Sequence, residues 1–121
     1  MAGPWGGLGA TRYRWRADVR RIVHQALAAF PHVTANTYVC HPWCGWGRVS
    51  IDYWGPGGRG DALRPGLAEQ LRRFHFSLAA PPIMRHCIAE HDLWTSWGGY
   101  SYWRPNDHSG NLRHFHVTYY K

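Results

Sequence analysis

At 121 residues the chain is long enough to close one hydrophobic core and too short for two domains of ordinary size. Fourteen Lys and Arg stand against seven Asp and Glu, a net charge of +7, and Lys121 is the only lysine; guanidinium forks suit the phosphate of nucleic acid and the anionic groups of a cell-wall polymer equally well. Three cysteines, Cys40, Cys44 and Cys87, exclude a fully paired disulfide framework, and no stretch is apolar enough for a signal-peptide core or a membrane span.

Residues 1–10 hold too much glycine for a regular element and are expected to form a flexible lead-in to a single domain over 11–121. Thr11 has N-cap chemistry, and Trp15, Val19, Ile22, Val23, Ala26, Leu27 and Phe30 follow at helical spacing until Pro31, which predicts a first helix. Arg12, Arg16 and Arg20 lie one turn apart on its other face, a docking strip for an anionic polymer or a solvated surface. Two strands are predicted next, one in the β-branched and aromatic stretch before Pro42 and one over residues 48–54. A glycine-rich loop follows, then a second helix capped by Asp61, with Pro65 in its early turns and Leu67, Leu71, Phe74 and Leu78 as its buried stripe. From Ile83 the pattern favours strands to the end, separated by Gly99 and by a turn over residues 105–111. The sum is an α+β domain, a small, mostly antiparallel sheet with two helices packed on it.

In the strand over residues 48–54, Val49, Ile51 and Tyr53 alternate with Ser50, Asp52 and Trp54, so Asp52 is an acid inside a strand pattern. A lone buried charge is too costly to keep, and the expected remedy is a paired or metal-bound carboxylate. The terminal strand offers partners, because a period of two puts His114, His116, Thr118 and Tyr120 on one face, with the two imidazoles about 7 Å apart along the strand. His41, just before Pro42, adds a further nitrogen donor. Two nitrogens and one carboxylate around zinc leave a fourth position for water, which the ion makes acidic while polarising a scissile carbonyl.

His41, Asp52 and the closing His114-Phe115-His116-Val117-Thr118-Tyr119 resemble the zinc-ligand pattern of the D-alanyl-D-alanine carboxypeptidase-like metallopeptidases, a group with hedgehog-like folds that includes peptidoglycan-cleaving endolysins. The resemblance runs from about Cys40 to the C-terminus. It implies a hedgehog/DD-peptidase-like fold, His41, Asp52 and His116 as zinc ligands, and His114 as a neighbour that stabilises the transition state. It also implies a peptidoglycan peptide or small D-amino-acid peptide as substrate, and an extracellular or cell-wall location. Ten residues separate His41 from Asp52, more than is usual in the family, so residues 42–51 hold an extra turn. Arg113 stands where an acid often flanks the His-x-His, which leaves Glu90, Asp107 and His114 as candidate general bases.

A rival metal site is a structural cage built from Cys40, His41 and Cys44 with His86 and Cys87, although the spacing is not that of a zinc knuckle. The loop over residues 55–61 lacks the Lys-Ser/Thr ending of a phosphate-binding loop; it turns the chain and presents Arg59 to a substrate carboxylate. Trp54 is the tryptophan expected to touch substrate, while Trp43, Trp46, Trp94, Trp97 and Trp103 divide between core and groove. The competing functional readings are a zinc peptidase, a basic nucleic-acid-binding module, and a catalytically silent metal-binding domain of the same fold.

Overall fold

The computed structural model describes residues 16–37, 48–78, 80–90, 92–102 and 114–120. Its elements are α1 (Ala17–Ala29), β1 (Thr34–Thr37), β2 (Arg48–Trp54), α2 (Leu67–Ser77), β3 (Met84–Ala89), β4 (Asp92–Thr95), β5 (Gly99–Tyr102) and β6 (Phe115–Tyr120), with one 3-10 turn at Pro81–Ile83. The strands form one antiparallel sheet in the order β1-β2-β6-β3-β4-β5, so the C-terminal strand is inserted between β2 and β3. Among the described residues no helix is long and apolar enough to cross a membrane.

The apolar stripe of α1 (Val19, Ile22, Val23, Ala26, Leu27) and that of α2 (Leu67, Ala68, Leu71) meet one set of strand residues, Ala35, Ile51, Tyr53, Cys87, Phe115, Val117 and Tyr119 among them. A fully buried Ile22 or Ile51 contributes roughly 1.5–3 kcal/mol over an exposed one. Phe74 and Leu78, expected in the buried stripe of α2, are half-buried at its margin.

Both helix starts differ from expectation. The first helical residue is Ala17, with Arg16 non-helical before it, so the helix starts well after Thr11. Thr11, Arg12, Arg14 and Trp15 lie outside the described residues, as does the glycine-rich lead-in. Arg16 forks onto Asp18, with contacts of 2.9 and 3.1 Å, and Arg20 is half-buried, so neither is a simple member of an open cationic strip. Asp61 does not cap α2. Its carboxylate accepts the Gly57 N–H at 2.7 Å and closes the glycine loop, while the N-cap position is Gly66 with φ +85°. A side chain on Gly55 would meet the Asp61 carboxylate at 2.7 Å, which is why the loop needs glycine there.

His75, on α2, is fully buried between two tyrosines on adjacent strands. Its Nε2 lies 2.9 Å from the Tyr53 hydroxyl and its Nδ1 contacts the Tyr119 hydroxyl. A neutral imidazole has one donor and one acceptor, so one tyrosine receives the ring N–H and the other donates to the bare nitrogen. Burial pushes His75 down to about 3 and holds both phenols well above their usual range, which keeps the trio uncharged.

A prediction follows from the sign of that shift. The unfolded chain protonates His75 near 6.5 and the folded chain only near 3, so its contribution is complete above pH 6.5 and falls by at most about 1.4 kcal/mol per unit as the pH drops between those values. Urea unfolding of the wild type and of His75→Leu at pH 7 and pH 5 should show the stability gap narrowing at the lower pH. A gap independent of pH would contradict the neutral, buried imidazole.

Candidate functional site

The face of the sheet turned away from the helices carries the polar residues, arranged in two rows. In one row Asp52 of β2 is aligned with His116 of β6, which is aligned in turn with Ile88 of β3. In the next, Ser50, Thr118 and His86 are aligned across the same three strands. All but Ile88 are buried, Asp52 to 2% exposure and Thr118 completely.

His86 reaches this face through an irregularity. Met84 is aligned with Tyr119 and belongs to the helix-side core, whereas His86, two positions on, is aligned with Thr118 on the opposite face. Regular alternation forbids that; a β-bulge between Met84 and His86 absorbs one residue and turns the rest of β3 over.

The Asp52 carboxylate has the partner that its burial demands. Oδ1 lies 2.7 Å from Nδ1 of His116 and 3.8 Å from Nε2 of His114. The His114 ring is stacked on the Trp54 indole, centroids 4.6 Å apart and planes at 13°, which fixes its orientation beside the carboxylate. On its other edge, His116 Nε2 lies 3.2 Å from His86 Nε2 and 3.1 Å from Thr118 Oγ1. Thr118 Oγ1 also contacts His86 Nε2 at 3.2 Å and Ser50 Oγ at 2.9 Å.

Carboxylate, imidazole and hydroxyl in this order match the layout of an activated nucleophile. Thr118 is fully buried, however, and its hydroxyl is shared with Ser50 and His86, so it does not meet a substrate. Asp52, His114 and Trp54 form the opposite edge of the cluster. Asp52 and His116 are a carboxylate and an imidazole in contact, a donor pair that suits zinc. Among the described residues no group of three His, Cys, Asp or Glu side chains is placed to hold a metal. His41, the other candidate ligand, lies outside the described residues.

The remaining candidates are scattered. Glu90 sits just beyond β3 with φ +54°, and its carboxylate accepts the Gly66 N–H at 2.8 Å, anchoring the start of α2. Arg59 is exposed on the glycine loop, whereas Trp54 is buried, so its contact is with His114. Trp94 packs against Phe76, and Trp97 is exposed. Asp107, Arg113, Trp43, Trp46 and Trp103 lie outside the described residues. The cage containing both His86 and Cys87 is overturned, because neighbours on a strand point to opposite faces. Cys87 is in the helix-side core, its thiol pushed up to about 12 by burial, while His86 contacts His116. Cys40 and Cys44 lie outside the described residues.

No protein-family model matches the chain, and neither does any curated protein or solved structure.

If Asp52 is the acceptor that satisfies His116, Asp52→Ala should destabilise the metal-free protein by about 1–3 kcal/mol, because a buried ring nitrogen loses its partner. Urea denaturation in the presence of a chelator measures this, and an unchanged midpoint would show that the contact contributes nothing to folding.

Proposed function

We propose that the chain is a zinc-dependent hydrolase of the D-alanyl-D-alanine carboxypeptidase-like type, with a hedgehog-like fold, that cleaves peptide bonds of the peptidoglycan kind. The observation that carries the reading is the buried Asp52 carboxylate 2.7 Å from His116 with His114 beside it. An acid on one strand facing a His-x-His on the next is the arrangement that the sequence resemblance implies. His41, Asp52 and His116 are the residues that would hold the ion.

When bound, zinc supplies Lewis acidity toward the scissile carbonyl and a water acidic enough to ionise near neutral pH. The protein's own share falls on His114. Stacking on Trp54 fixes its ring, and its Nε2 faces the carboxylate edge, the place from which a side chain moves a proton or donates to a developing oxyanion. Glu90 is committed to the Gly66 N–H, which weakens its candidacy as base. Arg59, exposed on its loop, is suited to the terminal carboxylate of a peptide.

The engagement of Glu90 also favours a second reading, a metal-binding domain of the same fold without turnover. The nucleic-acid reading rests on net charge, and the fork between Arg16 and Asp18 draws on the strip that would serve it.

Zinc content of the purified protein and hydrolysis of D-alanyl peptides test the assignment together. The wild type should hold close to one zinc per chain. His116→Ala should lose it, while His114→Ala should keep the zinc and lose about 10²–10⁴-fold in hydrolysis. Equal zinc loss in both variants would overturn the division of labour, and a zinc-loaded wild type inert on peptidoglycan and D-alanyl peptides would select the silent domain.

A further inference from the structure

We propose that His86 is the positioning residue for His116: by occupying the Nε2 edge of that ring it keeps the Nδ1 edge turned to Asp52. The inference deepens the zinc reading and rests on it only where metal affinity is concerned.

Three observations carry it. The bulge between Met84 and His86 has one evident consequence on the polar face, which is to aim His86 at His116 instead of into the helix-side core. The two rings lie against each other, centroids 5.2 Å apart and planes at 22°, with their Nε2 atoms 3.2 Å apart. The residue of β3 directly aligned with His116 is Ile88, which has no polar side-chain atom, so the contact from β3 comes diagonally from His86.

The proton arrangement follows from the donors and acceptors. With Nδ1–H of His116 donated to Asp52, Nε2 carries a lone pair and accepts from His86 Nε2–H or from the Thr118 hydroxyl. Were His116 to hold zinc, its one ring proton would sit on the nitrogen turned away from the ion, where Thr118 Oγ1 or His86 could accept it. Ser50 and Thr118 each donate and accept, and His86 Nε2 does either according to its tautomer, so the chain can run in either direction. A hydrophobic residue at position 86 removes one of the two contacts at that edge in both arrangements and leaves the other to Thr118 Oγ1.

The test is nitrogen-15 NMR of the imidazoles in wild type, His86→Leu and His86→Gln, first metal-free and then during zinc titration. In the metal-free wild type His116 should be a single tautomer protonated at Nδ1. In His86→Leu that preference should give way to a mixture, and zinc affinity should fall about 10–100-fold, the usual effect of removing a group that orients a ligand. His86→Gln, whose amide both donates and accepts, should recover most of both. Unchanged His116 nitrogen shifts in His86→Leu overturn the proposal, as does a metal-free wild-type His116 protonated at Nε2, a result that needs no folded variant. A wild type that binds no zinc, with the tautomer still altered in His86→Leu, removes the zinc reading and leaves the positioning intact. Equal zinc affinity and equal tautomers in wild type and His86→Leu leave the zinc reading and remove the positioning.

Discussion

The register between β2 and β6 is the constraint on which the site depends. With Asp52 opposite His116, the carboxylate and the imidazole meet on the face away from the helices, and Ile51 opposite Val117 meets the core. A slip of one residue would reverse this, driving a carboxylate into the apolar layer and separating it from its nitrogen partner. The register is held on both faces. On the helix side Tyr53 and Tyr119 are joined through His75, and Tyr53 stacks on Phe115 at 5.7 Å. On the polar side Ser50 bonds to Thr118 across the same pair of strands.

The two-residue period made much of this visible in the sequence. It put Asp52 on the opposite side from Ile51 and Tyr53, and it separated His114, His116 and Thr118 from Phe115, Val117 and Tyr119, as the burial and the contacts bear out. Both helices and the order of strands along the chain were legible from spacing and turn residues. Which strands are neighbours was not, because nothing in a strand's own pattern says that the C-terminal one enters between β2 and β3. Only the family resemblance joined Asp52 to His116 in the sequence; the insertion is what sets them side by side.

Pattern reading missed His75 and gave His86 the wrong company, grouping it with Cys87 in a metal cage. Strict alternation groups Met84, His86 and Ile88, and only the bulge separates the first from the other two. His75 falls on the buried side of α2, where a histidine reads as an interruption; its meaning comes from two tyrosine hydroxyls on other elements. Asp61 failed as a helix cap for a similar reason. Its chemistry suits a cap, but the nearer demand comes from the backbone N–H of Gly57, and the helix starts at a glycine in the left-handed region instead.

The two faces of the central strands therefore solve one problem in different ways. Under the helices, where burial is complete, the polar trio Tyr53, His75 and Tyr119 closes on itself with no net charge, which costs little desolvation and fastens α2 to both strands. On the opposite face a carboxylate is retained, and keeping it requires an imidazole on one side and a supported ring behind that imidazole. A Leu or Val pair at positions 52 and 116 would meet the needs of folding at lower cost. The charge, the inserted strand and the bulge together bring one ring nitrogen edge against one carboxylate oxygen, the geometry that the proposed ion site would use.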